Sequence, residues 1–226
     1  MEQENSSERA KERILQAALG HVAFDGWSEA TLKAAITDSG VTPALGRALY
    51  PRGGVDLAVA YHRAGDIAMR DAMAAHNGGL RYRDRVALAV RLRLEAADKE
   101  LVRRGSALFS LPQHGLEGAR LIWATANTIW TALGDSSTDV NWYSKRATLS
   151  AVYGATVLFW LGDQSEDNAD TWEFLERRIE NVMQMEKAKA AFRGNPLGKA
   201  LMAGPLKFFE RISAPKSLDD LPGRTK

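Results

Sequence analysis

The longest uncharged run, residues 147–162, limits how this chain can fold more than any other feature. It is 16 residues long, lies between Arg146 and Asp163, and contains Thr148, Ser150, Tyr153 and Thr156. A membrane-spanning helix needs about 20 mostly apolar residues. The run therefore reads as the central buried helix of a soluble bundle. Apolar residues recur at helical spacing almost everywhere else, and alternating β-branched runs are missing, so no strand is expected. Hydrophobic residues make up 45% and charged residues 26%, values of a folded globular chain that exclude global disorder. A length of 226 residues suits one domain, or one with an appendage. The absence of cysteine excludes a disulfide framework, a thiol nucleophile and a thiolate zinc site. The start is acidic and polar, so neither a secretory signal nor an Arg-rich transit peptide is expected there.

Eight helices are predicted, over 7–24, 29–38, 43–50, 55–75, 82–104, 116–133, 141–161 and 169–192. In the first, Ile14, Ala17, Ala18, His21, Val22 and Phe24 form the buried face. Ser28 caps the second, and Gly40 makes the turn after it. Thr42 caps the third, with Pro43 as its first residue. Residues 105–115, with Pro112, read as a loop or broken helix. Three parts result: a helix-turn-helix head over 1–53, a larger helical body over 54–193, and a basic amphipathic helix and tail over 194–226.

Arg13-Ile14-Leu15-Gln16-Ala17-Ala18, Phe24-Asp25-Gly26, Thr31-Leu32, Gly40-Val41-Thr42 and Leu49-Tyr50 resemble the start of a TetR-type repressor. In such a head the second helix of the motif enters the major groove. Here that helix offers only Arg47 and Tyr50 as donors, with Thr42 spent on capping. Residues 1–53 hold six basic and seven acidic side chains, net −1. Phosphate neutralisation dominates DNA affinity, so DNA is not expected as a partner. A TetR-type ligand-responsive transcriptional repressor is the alternative reading.

The positive charge lies at the other end. Residues 187–216 carry seven basic side chains against Glu210 alone, net +6. Projected as a helix, Leu197, Leu201, Met202, Leu206, Phe208, Phe209 and Ile212 share one half of the circumference. Lys199, Lys207, Glu210 and Arg211 share the other. An apolar face opposite a basic one suits a helix lying among anionic headgroups. Leu197, Lys199, Leu201, Leu206, Lys207, Phe208 and Phe209 are the expected membrane contacts. Packing of this face on the bundle, or on a second subunit, is the other possibility.

A more specific pattern follows. Ile129-Trp130, the stretch Gly134-Asp135-Ser136-Ser137-Thr138-Asp139-Val140-Asn141-Trp142-Tyr143-Ser144-Lys145-Arg146, and Asp170-Thr171-Trp172-Glu173-Phe174-Leu175-Glu176-Arg177-Arg178-Ile179 resemble the ubiquinone-biosynthesis accessory lipid-binding family. The resemblance implies an all-α, TetR-like helical bundle whose body is a lipid-binding and dimerisation unit. It implies a non-catalytic helper that binds a hydrophobic isoprenoid quinone precursor at the membrane and presents it to a di-iron hydroxylase. Carried over, the docking patch is Asp139, Asn141, Trp142, Tyr143, Lys145 and Arg146. The expected partners are that hydroxylase, membrane lipids and a second copy of the chain. The expected location is cytoplasmic, peripheral to the inner face of the membrane, as for a bacterial member.

The residues bear on these expectations independently. Trp142 and Tyr143 follow a polar turn at a helix start with Lys145 and Arg146 beside them, a hot-spot composition. Trp142 also shares a helical face with Leu149, Tyr153 and Trp160, which suits burial, while Arg146 on that face suits a rim. The candidate lipid lining is Leu88, Leu92, Leu108, Trp123, Trp130, Val152 and Phe159. Such a set either packs solid or lines a tunnel. Catalytic motifs are missing. No Glu-x-x-His pair, Gly-x-Ser-x-Gly elbow, phosphate loop or dinucleotide fingerprint occurs. Glu173, Glu176 and Glu180 alternate with Arg177 and Arg178, as on a solvated face. No cofactor is expected beyond a bound lipid or isoprenoid quinone precursor.

Overall fold

The computed structural model describes residues 2–76 and 79–194. It comprises α1 (Glu2–Asp25), α2 (Glu29–Ser39), α3 (Pro43–Leu49), α4 (Gly54–Ala75), α5 (Tyr82–Glu95), α6 (Lys99–Phe109), α7 (Gly115–Ala132), α8 (Val140–Gly162), a short 3-10 turn at Glu166–Asn168, and α9 (Ala169–Gly194). No strand occurs among the described residues, so the chain is all-α. The segment 195–226, with its expected amphipathic helix, lies outside the described residues.

Two hydrophobic cores meet along α4. In the head, Ile14, Ala18, Val22, Leu32, Ala35 and Tyr50 pack with Leu57 and Ala58 of α4 and Leu101 of α6. In the body, Met69 and Met73 of α4 pack with Val90, Leu94, Ile129, Leu149, Tyr153, Trp160, Leu175 and Ile179. The head's turns follow local chemistry. The Thr31 N–H donates to Ser28 Oγ at 3.2 Å, which caps α2. Gly40 ends α2 at φ 65°, a left-handed conformation that glycine adopts without strain. Gly54 lets α4 start against the α1–α2 turn, where an added Cβ would lie 2.3 Å from the Trp27 carbonyl carbon.

Three expectations change. The helix expected over 82–104 is two helices. Asp98 starts the second, its carboxylate accepting from the N–H groups of Glu100 and Leu101, while its own N–H donates to the Tyr61 hydroxyl at 2.9 Å. Helix α6 then runs to Phe109, through half of the expected loop. Phe24 is not in the buried face of α1 but 85% exposed. It lies two residues past buried Val22, roughly 200° round the helix. Helix α8 buries one face only, through Leu149, Val152, Tyr153, Thr156 and Trp160, and leaves Leu158 70% exposed.

Candidate functional site

Helices α4 to α8 enclose a cavity of about 440 Å³. Its walls are mainly apolar: Trp27, Ala58, Leu101, Val102, Phe109, Leu121, Ile122, Val157 and Leu158. Gly105, Gly118 and Gly154 also face it from inside helices. A glycine within a helix costs about 1 kcal/mol against alanine. At Gly105 and Gly154 the missing side chains leave space, a Cβ at Gly154 meeting nothing closer than Ile122 at 3.8 Å, whereas Gly118 lets α7 close on Phe109, whose Cβ would lie 2.9 Å from an added one.

One wall of this cavity is polar, formed by His62, Arg93 and Tyr153. Arg93 is 3% exposed. Its Nε donates to Asp66 Oδ1 at 2.7 Å and its Nη2 to the His62 carbonyl oxygen at 2.9 Å. Thr125 Oγ1 donates to the same Asp66 oxygen at 2.8 Å and lies 2.8 Å from His62 Nε2. Gly65 permits the close approach, since an added Cβ would lie 2.6 Å from Arg93 Cζ. Burial, reinforced by the Arg93 charge, pushes the His62 pKa down to about 4, so its ring is neutral near pH 7. Burial pushes the Tyr153 phenol up, so it keeps its proton.

The second cluster sits where α7 turns into α8. Asp139 caps α8, accepting from the Asn141 N–H at 3.0 Å. Trp142 and Tyr143 meet edge to face, their centroids 4.8 Å apart, and Trp123 of α7 packs 6.0 Å from Trp142. Asp135 ties the turn to the helix, accepting from Lys145 Nζ at 2.7 Å and from Arg146 Nη1 at 3.1 Å. Burial alone would raise the Asp135 carboxyl. Hydrogen bonds from Lys145, Ser137 and Arg146 outweigh that and hold its pKa at about 2.

The expected site residues divide between several places. Asp139 and Asn141 are exposed, and Trp142, Tyr143 and Lys145 are half-buried, all around one helix start. Arg146 is 2% exposed, so the expected rim position is corrected. It reaches inward to Asp135 and Asn127 and lies 4.0 Å over the Trp142 ring. The seven candidate lipid residues do not share a cavity, and none lines the one of about 440 Å³. Leu88 and Leu92 pack against the body core, and Leu108 against the head core. Trp123 belongs to the aromatic cluster. Trp130 and Val152 line a smaller groove, about 230 Å³, between α5, α8 and α9. Phe159 stacks on Phe174 at 4.5 Å. The seven expected membrane contacts, from Leu197 to Phe209, lie outside the described residues. Glu176 and Glu180 do not face solvent alone but pair with Arg83 of α5.

In the head, the Thr42 hydroxyl makes no capping hydrogen bond, contrary to expectation. Tyr50 is buried and its hydroxyl donates to the Lys11 carbonyl oxygen at 2.9 Å. Arg47 pairs with Glu29 at 2.5 Å. Among the described residues no group of three or more His, Cys, Asp or Glu side chains could hold a metal ion. No described helix is long and apolar enough to cross a membrane.

Comparison with known proteins places this geometry. The chain is 21% identical to a TetR transcriptional regulator from Nitrosomonas europaea, with a TM-score of 0.62 over 77% of this chain and 98% of that one. That likeness shows a TetR-like fold. The chain is 28% identical over 228 residues to the ubiquinone biosynthesis protein COQ9-B, mitochondrial, of Xenopus laevis, covering 96% of this chain and 75% of that one. It is 29% identical over 209 residues to the human protein COQ9, covering 88% of this chain and 65% of that one. Residues 116–186, from α7 to α9, match the COQ9 family model. A TetR-like all-α fold thus carries, over residues 116–186, a stretch that matches the COQ9 family model, with the aromatic cluster at the α7–α8 turn inside it.

Proposed function

We propose that this chain is a non-catalytic, lipid-binding accessory factor of ubiquinone biosynthesis. It takes an isoprenoid quinone precursor at a membrane surface and presents it to a di-iron hydroxylase. The observation that carries the reading is the apolar cavity of about 440 Å³ inside the bundle. That volume lies within the roughly 300–1,000 Å³ of small-molecule pockets, too little for a long polyprenyl chain but enough for one end of it. The relatives' names supply the pathway. The basic segment 197–212 supplies the peripheral membrane contact, and Asp139, Asn141, Trp142, Tyr143 and Lys145 supply the docking surface. The homodimer contact falls on α8 and α9, where Phe159, Met183 and Met185 are exposed.

Vesicles containing a prenylated quinone test the carrier step. The full chain is expected to float with the vesicles and to hold extracted quinone after separation. A chain ending at residue 196 should do neither. If the full chain extracts nothing, the carrier reading fails; if the shortened chain floats equally well, the membrane assignment fails.

The docking surface has its own test. Trp142→Ala with Tyr143→Ala should reduce capture of the hydroxylase at least about tenfold, since aromatic anchors are worth 2 kcal/mol or more at interfaces. Quinone extraction should stay unchanged. Undiminished capture would move the docking surface elsewhere.

A ligand-responsive repressor is the second reading, favoured by the intact α2–Gly40–α3 turn and the uncommitted Thr42 hydroxyl. It requires salt-sensitive duplex binding. Burial of Tyr50 and pairing of Arg47 leave the reading helix few donors for that, so gel-shift at low salt is expected to show no complex.

A further inference from the structure

Resting on the reading of this cavity as a lipid site, we infer that it holds its ligand head-inward and selects a neutral, oxygen-bearing ring over an acidic headgroup. The cavity changes in polarity from its inner to its outer wall. Its deep wall is polar, formed by buried Arg93 and Tyr153 and half-buried His62. Its outer wall is mainly apolar and open, with Ala119, Leu158 and Ser110 exposed. An amphiphile that entered tail-first would set hydrocarbon against the polar wall and leave its head among exposed apolar side chains. Head-inward, both ends meet their match, and a long tail leaves past Leu158.

The polar wall has donors to offer. Arg93 gives Nε to Asp66 and Nη2 to the His62 carbonyl oxygen, and its Nη1 has no hydrogen-bond partner among the described residues. The Tyr153 hydroxyl lies at the same network, beside Thr125. Carbonyl, methoxy or phenol oxygens on a ring can accept from both. A hydrocarbon cannot, and would leave the Arg93 Nη1 dry and unpaired, which is costly.

The charge balance excludes acids. Arg93 is neutralised by Asp66 at 2.7 Å, and the His62 ring beside them is neutral. A carboxylate or phosphate would bring a net charge into an apolar enclosure with no free countercharge, and such burial is strongly unfavourable. A ring bearing neutral oxygens adds acceptors and no charge.

Three probes with equal tails separate the possibilities: a decyl-substituted dimethoxybenzoquinone, decylbenzene and decanoate. Their affinities are read by displacement of Nile red from the full chain. The quinone is expected to bind about tenfold or more tighter than either of the others. Tyr153→Phe removes one oxygen at nearly constant volume. It should weaken the quinone about tenfold and leave decylbenzene unchanged, with an unaltered thermal melt excluding misfolding. Gly154→Leu fills the cavity and should weaken all probes together.

Equal affinities for the three probes, or tightest binding of decanoate, would overturn head-group selection and leave the cavity reading standing. Tyr153→Phe weakening all probes alike would do the same. If Gly154→Leu moves none of them, the ligands sit elsewhere and the placement is wrong. Failure of every probe to bind would overturn both the selection and the lipid-site reading beneath it.

Discussion

Arg93→Met is expected to destabilise the chain by about 3–5 kcal/mol, because it strands a buried carboxylate. For a chain of this length that is a fall in Tm of roughly 6–20 °C. Arg93 and Asp66 bond at 2.7 Å with side chains only 3% and 9% exposed. Neither can reach water to recover its lost hydration. The double variant Asp66→Asn, Arg93→Met should recover most of the loss. Both charges are then gone, and the asparagine still accepts from Thr125. Circular dichroism melts of parent, single and double variants check this. A single variant that melts with the parent would show that the pair holds nothing together. A double variant as unstable as the single would show that packing of the arginine stem, rather than charge pairing, was lost. Apolar side chains of similar volume often replace such pairs without loss of stability.

That pair was invisible in the sequence. Asp66 and Arg93 are 27 positions apart on two helices, and each reads as an ordinary charge on a mainly polar stretch. Nothing local says that Gly65 opens the space for a guanidinium. The cavity was hidden for the same reason. Large apolar side chains were expected to line it, yet such side chains fill space. Leu88, Leu92 and Trp130 accordingly pack into or against the body core. A cavity forms where helices present small residues to one another, as at Gly105 and Gly154. Glycines inside helical patterns were the available signal, and only the pairing of helices makes them point at one space.

The helices themselves were far more legible. Ser28, Gly40 and Pro43 act within their own turns, so the head's turns could be read from neighbouring residues. The break after Glu95 was legible too, in Asp98 followed by Glu100, but the continuous apolar spacing across it masked the cap. Phe24 shows how the register decides burial: a position two residues from a core valine faces away. The expected docking residues came from a family resemblance, and their neighbours explain their seating. Arg146 needed the fold, because a basic residue near a helix start reads as exposed until its buried carboxylate partner is found.

That partner, Asp135, gives the second large effect. Asp135→Ala should destabilise the chain by about 3 kcal/mol, since it leaves Arg146 buried without a carboxylate. The loss stays near the low end for a broken buried pair. Arg146 keeps Asn127 Oδ1 at 2.7 Å and the Trp142 carbonyl oxygen at 3.1 Å. The effect depends on pH with a definite sign. The folded carboxyl is held at about 2, against an ordinary 3.8. A depressed carboxyl stabilises the fold fully above the ordinary value and loses that contribution as pH falls through the folded one. The Tm gap between parent and Asp135→Asn should therefore be widest above about pH 4 and close toward about pH 2. Asp163, held low by the Ser165 and Thr171 hydroxyls, keeps an acid slope in both chains. A gap that stays constant from pH 5 to 2 would show that Asp135 acts through shape and not through charge. Because Arg146 lies over the Trp142 ring, the same substitution should loosen that indole. Tryptophan near-ultraviolet dichroism should then weaken at pH 7, and hydroxylase capture should fall in the same samples while the cavity, lined by none of the aromatic cluster, still extracts quinone.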